Sequence, residues 1–422
     1  MKERIPVRML VAMVTSLCLG ILWGACTPSK PPFVCTDKIG CVDIGPQDPL
    51  KLGVIQALTG KVATLGLEQV RGLELALARR NNQVLGHAVA LQTEDTGCKP
   101  EGGANTALKV VSDPKFVAIF GTTCSGDAAT AAAVMAEAGL SMISGNNSAP
   151  FLTAIGGKRA PKWQPGYFRT APNEEVAGPA AAKFAYEKLG IRKAATINDG
   201  DIYTKGLTDG FKQEFEKLGG KIVLSATVNK NDANMEPLLT AVKNAEAELA
   251  FFPLFQPEGN HLLLQAKKTP GLEKLVLMSD GALIDSSFIE AVTTNAVGMY
   301  FVGPTPPQKA PALDKLVAEY QEKYKMTPPT IYYLSAFDAA NILFAALEKV
   351  AVKDEKGLHI GRQALRDALY NTKNHAGVTG TLTCNEFGDC APPRFNVLRL
   401  VDPAAGVEGL KSNVIYTYAP EK

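Results

Sequence analysis

The sequence predicts an α/β protein built from two doubly wound parallel-sheet units, and three observations carry that expectation. Short apolar runs alternate with longer amphipathic ones from Leu50 to about residue 300. The 422 residues exceed what one hydrophobic core ordinarily holds. The composition is that of a globular chain, 46% hydrophobic and 20% charged, with a net charge of +2.

The amino terminus reads as an export signal. Lys2, Arg4 and Arg8 precede the apolar run Met9 to Trp23, and the small residues Gly24 and Ala25 lead to Cys26. A basic start, an apolar middle and a small-residue exit define a secretory signal peptide, here residues 1–25. Ending the signal on Cys26 points to a lipoprotein, cleaved before the cysteine and acylated on its thiol. Trp23 stands where the lipoprotein box carries leucine. Simple secretion and an uncleaved anchor are the alternatives, and all three put the remaining chain outside the cytoplasm. Residues 26–49 are rich in proline, glycine and small polar residues and read as a lipid-anchored flexible tether.

Strands are expected at Lys51–Ala57, Ala88–Glu94, Phe116–Gly121 and Ser141–Ser144, with helices at Glu68–Arg80, Gly103–Val111 and Ala128–Ala138 between them. In the first helix Val70, Leu73, Leu77 and Ala78 share one stripe. The alternation resumes with strands at Lys193–Asn198, Lys221–Val228, Ala250–Phe255, Leu275–Ser279 and Gly298–Val302. Helices at Ala177–Leu189, Lys205–Leu218, Met235–Asn244 and Glu258–Lys267 separate them. Repeated strand–helix units mean parallel sheets covered by helices on both faces. Periodicity leaves open whether these are two separate domains or two lobes exchanging strands. Helices at Ala312–Tyr324, Ser335–Val350 and Gly361–Tyr370, then a hairpin-like stretch Gly380–Val397, suit a chain that crosses back between lobes.

Cysteine usage agrees with export. Cys18 lies in the signal and Cys26 would carry lipid, leaving Cys35 with Cys41, Cys98 with Cys124, and Cys384 with Cys390. Local pairs of this kind suit disulfides in an oxidising compartment. A metal site is not expected, because there is no Cys-x-x-Cys and the four histidines are scattered. No cofactor is implied, and the near-neutral charge without a basic cluster argues against nucleic acid as a partner. Phosphate-binding, dinucleotide-binding, serine-hydrolase and zinc-protease motifs are all missing, so no enzymatic activity is expected.

Ligand chemistry belongs beyond the carboxyl ends of parallel strands. After Phe116–Gly121 comes Thr122-Thr123-Cys124-Ser125-Gly126-Asp127, and after Ser141–Ser144 comes Gly145-Asn146-Asn147-Ser148. Each loop feeds a helix start with hydroxyls and free N–H groups, an arrangement that holds a carboxylate. Helix capping alone accounts for either loop singly; two on neighbouring strands favour an anion site.

The stretch KLGVIQALTGKVATLGLEQVRGLELALARRNN resembles the opening strand–loop–helix of the leucine/isoleucine/valine-binding protein family, type I periplasmic binding proteins that serve ABC transporters. The likeness continues through TEDTGCKPEGGANTALKVV, FVAIFGTTCSG, GLSMISGNNSAPFLT, GYFRTAP, TINDGDIYTKGLTDGF and GTLTCNEFGDC. It implies two lobes joined by a three-crossover hinge, with residues 50–171 and 304–379 in the first lobe and 172–303 and 380–422 in the second. It also implies the Cys98–Cys124 disulfide, whereas Cys384–Cys390 lies outside the leucine-binding pattern.

The resemblance assigns roles residue by residue. Ser125 and Ser148 would hold the ligand's α-carboxylate, and the Asn146 carbonyl would take its ammonium. Tyr203 would close over the ligand from the second lobe, and Asp280 would pair with the ammonium. Leu65 and Phe255 stand where the leucine-binding pattern has tyrosines, so the side-chain pocket differs. Asn147 and Asp127 are expected to add polar contacts. The implied function is the solute-binding component of an ABC importer, with an amino acid or other small zwitterion as ligand and a membrane permease as partner. An amide, urea or carboxylic-acid ligand on the same fold, or a sensory lipoprotein, are the alternatives.

Overall fold

A computed structural model describes residues 33–418. The signal segment 1–25 and the expected lipid site Cys26 lie outside the described residues.

Two sheets organise the chain. The first has six strands in the order Gln83–Val84, His87–Asp95, Leu50–Gln56, Phe116–Gly121, Ser141–Ser144, Tyr167–Arg169. All its pairings are parallel except that of the short edge strand Gln83–Val84. The second has seven, in the order Lys221–Thr227, Lys193–Asn198, Leu249–Phe251, Val276–Asp280, Tyr300–Pro304, Phe395–Arg399, Val414–Tyr418. Its first five are parallel and its last two antiparallel. In each sheet the opening strand lies inside the order, with its next strand on one side and the third on the other. Each sheet therefore has a switch point, between Leu50–Gln56 and Phe116–Gly121 in the first and between Lys193–Asn198 and Leu249–Phe251 in the second. Adjacent connections leave a switch point in opposite directions, which opens a crevice there.

Apolar sequence explains the strands. Leu52, Val54, Ile55, Ile119 and Phe120 are fully buried, as a strand covered on both faces requires. Helix Ala63–Ala78 packs against helix Tyr332–Val350, and the approach is close because position 72 is glycine. A Cβ there would lie 2.4 Å from the Tyr333 carbonyl oxygen and 2.5 Å from the Ala336 Cβ.

The chain passes between the sheets three times, at 170–173, 304–310 and 391–394. The last passage is later than the expected break after Thr379. Strand Gly380–Leu382 pairs back onto His375–Gly377, and the Cys384–Cys390 loop docks on the edge strand Tyr167–Arg169. There the Arg169 N–H donates to the Gly388 carbonyl at 2.9 Å, and the Cys390 N–H donates to the Arg169 carbonyl at 2.9 Å. Leu382, Cys384 and Cys390 join the apolar core beneath the first sheet. The expected hairpin Gly380–Val397 is thus two separate pairings, since Phe395–Arg399 joins Tyr300–Pro304 of the second sheet.

The expected flexible tether also needs correction over its described part. Cys41–Ile44 is a strand antiparallel to Gly357–Gly361, and its alternation buries Val42 and Ile44. The Phe33 ring stacks on His359 at 4.3 Å, and the Phe33 N–H donates to Asp354. Asp37 accepts from the N–H groups of Gln363 and Ala364 at 3.0 and 2.9 Å, capping helix Arg362–Tyr370 from outside. All three expected disulfides are present. Among the described residues no helix is long and apolar enough to cross a membrane.

Candidate functional site

The two switch points face one another across the passages, and the expected ligand residues meet there. On the first sheet's side, Phe116–Gly121 ends in a loop that enters helix Ser125–Glu137. Thr123 fastens this loop to the neighbouring strand end, accepting from the Ala57 N–H at 2.9 Å and donating to Gln56 Oε1 at 2.8 Å. The Cys98–Cys124 disulfide ties its other side. Ser125 is buried, and its Oγ accepts from the Ala149 N–H at 3.2 Å, joining the two hydroxyl-bearing loops. Asn146 donates through its side chain to the Thr123 carbonyl at 2.8 Å. Ser148 completes this wall.

Asn147 and Asp127 do not line the cavity. Asn147 Oδ1 accepts from the Thr122 N–H and from the Tyr167 hydroxyl, both at 3.1 Å. Asp127 accepts from the Thr122 hydroxyl at 2.9 Å. Both turn inward because the buried Thr122 loop needs partners for its polar groups. Burial pushes the Asp127 carboxyl up to about 7 against hydrogen bonds from Thr96 and Thr122.

The second sheet supplies the opposite wall. Asp201 caps helix Ile202–Lys217 by accepting from the Tyr203 N–H at 2.9 Å, which fixes Tyr203 in the first turn. The Tyr203 hydroxyl donates to Asp280 Oδ2, and its ring lies 5.3 Å from that of Phe255. Asp280 ends strand Val276–Asp280 and is wholly buried. Burial raises its carboxyl, and the Tyr203 hydrogen bond opposes that rise.

Between the walls lies a cavity of about 20 Å³. Leu65, Ser125, Asn146, Ser148, Tyr203 and Phe255 line it, together with Thr123, Ala282 and Tyr332. Asp280 is held to it through Tyr203. Sequence reasoning missed Tyr332, which opens the long helix after the second passage, and Glu174, which follows the first. Glu174 is 5% exposed. Burial raises its carboxyl, the neighbouring Asp280 charge raises it further, and a hydrogen bond from Ser148 and the Arg169 charge oppose this. Neither residue sits in the loops after strand ends that carry Ser125 and Ser148.

The walls also touch outside the cavity. Lys230, from the second sheet's side, donates to the Cys98 carbonyl at 3.3 Å and pairs with Asp201 at 3.5 Å. Asp201 itself lies against Gly126, where a Cβ would come within 2.4 Å of its Oδ2. A larger cavity of about 490 Å³ opens among the three passages and shares Tyr332 with the first. Arg394 is the charged residue in its lining. Of these two cavities the smaller is the better candidate, because it collects groups from both switch points.

The sequence matches the family model described as periplasmic binding protein over residues 49–387. It is 29% identical over 356 residues to the Leu/Ile/Val-binding protein homolog 3 of Brucella melitensis, covering 84% of this chain and 92% of that one. Among solved structures it is similar to a leucine binding protein from Thermotoga maritima, with a TM-score of 0.73 and 22% identity over 88% of this chain and 99% of that one. A solute binding protein of an ABC transporter from R. palustris, in complex with benzoate, gives a TM-score of 0.70 and 20% identity over 88% and 98%. These structural likenesses show the fold.

Proposed function

Because the chain belongs to the periplasmic binding protein family, we propose that it is the extracytoplasmic solute receptor of an ABC importer and captures an amino acid between two lobes. Residues 50–171 with 304–390 would form one lobe, and 172–303 with 391–418 the other. One observation carries the reading: Ser125 and Ser148 from one wall and Tyr203, which donates to Asp280, from the other line a single cavity. The ligand's carboxylate goes to Ser125, Ser148 and the helix start behind Ser125. Its ammonium goes to Asp280 and the Asn146 carbonyl, and Leu65 and Phe255 receive the side chain. A ligand that touches both walls binds the closed arrangement better than the open one, and that difference drives closure. The role is capture and delivery to a permease, without catalysis. Cys26 carries the lipid that holds the protein at the membrane; labelled fatty acid should enter the wild type and not Cys26→Ala.

A thermal-shift screen of the twenty amino acids tests the proposal. At a hundred times Kd, a true ligand adds about 2.7 kcal/mol to stability. No shift from any of them would overturn the amino-acid reading. A second reading, a small carboxylic acid without an amine, draws on the apolar walls Leu65, Phe255 and Tyr332 and on the benzoate complex of a similar fold. It predicts a shift with benzoate and silence from amino acids.

A further inference from the structure

We infer that His359 works as a charge-dependent clasp: as an imidazolium it pins Phe33, where the described amino-terminal segment begins, and loss of its proton lets that end go. The inference is independent of which ligand fills the cavity.

His359 lies in strand Gly357–Gly361 between two carboxylates and is 6% exposed. Its Nδ1 is 2.6 Å from Asp43 Oδ1, directly opposite on strand Cys41–Ile44. Its Nε2 is 3.0 Å from Asp354 Oδ1, on the neighbouring strand Val352–Asp354. A neutral imidazole carries one N–H and serves only one of these acceptors, whereas an imidazolium donates to both. The Phe33 ring lies flat on the imidazole, with centroids 4.3 Å apart and planes 12° from parallel. A positive charge beneath an aromatic face adds attraction to that packing. Asp354 ties the two residues together, because its Oδ2 accepts from the Phe33 N–H at 3.0 Å.

Asp43 and Asp354 are the charged groups that face His359. On the strand's other face, Leu358 and Ile360 enter the apolar core with helices Tyr332–Val350 and Arg362–Tyr370, so those helices present no charge to it. Burial works to lower the His359 pKa, and the hydrogen bonds and charges of Asp43 and Asp354 outweigh it, so the net shift is upward. A histidine raised in this way gives its full hold below the unfolded value of ~6.5 and loses it as the pH climbs through the folded value. The deprotonated ring then turns a lone pair on one carboxylate. The rest of the segment has its own fastenings, the Cys35–Cys41 disulfide and Asp37 at the start of helix Arg362–Tyr370. Opening therefore frees the Phe33 end, the one that leads toward Cys26.

Chymotrypsin cleavage after Phe33 in the purified full chain tests the clasp at pH 6 and pH 9, each rate divided by that of a free peptide spanning residues 29–38. We expect the normalised rate to rise about tenfold or more between the two. His359→Gln should be cut at pH 6 as fast as the wild type at pH 9. Asp43→Asn, which alters a largely exposed carboxylate, should move the rise to lower pH. Carbon-13 labelling of the four histidines should place the His359 titration above ~6.5 by NMR. A normalised rate that ignores pH overturns the inference, and so does a His359 that titrates at or below ~6.5. A His359→Gln variant still closed at pH 6 also overturns it, because packing of Phe33 would then suffice. Cuts after the wholly buried Phe211 and Phe251 report lost folding; if His359→Gln shows them at pH 6, Asp43→Asn decides, and an unmoved rise there overturns the clasp.

Discussion

The Tyr203 hydroxyl donates to the Asp280 carboxylate, tying the first turn of a helix to a strand end 77 residues later. A phenol and a carboxylate that are both buried hold each other in place, because each would otherwise be left without a partner in a medium that punishes bare polar groups. Removing the phenol oxygen should therefore be felt before any ligand arrives. Tyr203→Phe should destabilise the unliganded protein by about 1–2 kcal/mol in urea unfolding. Asp280→Asn should instead weaken amino-acid binding by at least about tenfold in calorimetry. An unchanged Kd would take Asp280 out of the site.

Stability should fall as the pH rises from acid toward neutrality. Burial pushes Asp127 and Glu68 each up to about 7, above the unfolded values of ~4. A carboxyl raised in this way contributes its full stabilisation while protonated in both states, below ~4, and loses it as the pH climbs through about 7. Asp280 and Glu174 shift in the same direction. The unliganded melting temperature should therefore drop by several degrees, about 5 °C, between pH 5 and pH 8. Asp127→Asn should flatten that slope, and an unaltered slope would mean that Asp127 is ionised in the native state.

Arg169 and Asp389 form an ion pair in which Arg169 is wholly buried, and it joins the edge of the first sheet to the Cys384–Cys390 loop. Replacing the arginine alone strands a buried carboxylate, so Arg169→Met should cost about 3–5 kcal/mol. The double variant Arg169→Met with Asp389→Leu should recover much of that loss. Equal unfolding midpoints for the single and double variants would contradict the pairing.

Lys230 spans the two walls through the Cys98 carbonyl and Asp201. It is partly exposed, so its contribution is modest. Lys230→Ala should weaken ligand binding roughly two- to fivefold, with a larger radius of gyration in small-angle scattering at sub-saturating ligand. Identical scattering and affinity would show that the bridge does not favour closure.

The sequence exposes the alternation of strands and helices because each element carries its own periodicity, and Phe116–Gly121, Ser141–Ser144 and Lys193–Asn198 fall where expected. Ser125 and Ser148, in loops that follow strand ends, were legible for the same reason, whereas the places of Tyr203, Leu65 and Phe255 came from the family resemblance. Tyr332 was not legible, because it opens helix Tyr332–Val350 far from any strand end and its surroundings read as an ordinary helix start. Pairings between distant segments were also hidden. Nothing near Phe395 signals that its partner is Pro304, and four residues of alternation in Cys41–Ile44 are too few to stand out from a proline- and glycine-rich stretch.

The strand Cys41–Ile44 and the seat of Phe33 on His359 would decide which half of a lipid-anchored molecule is moored. With lipid on Cys26, the chain from Cys26 to Phe33 reaches no further than about 25 Å from the bilayer surface. The described residues that follow, Phe33 and Cys41–Ile44, pack on the first sheet's side. Capture of a ligand would then swing the second lobe against a half already held near the membrane. A permease waiting there would sense the change as a movement of one half and could not mistake it for the drift of a freely tumbling receptor.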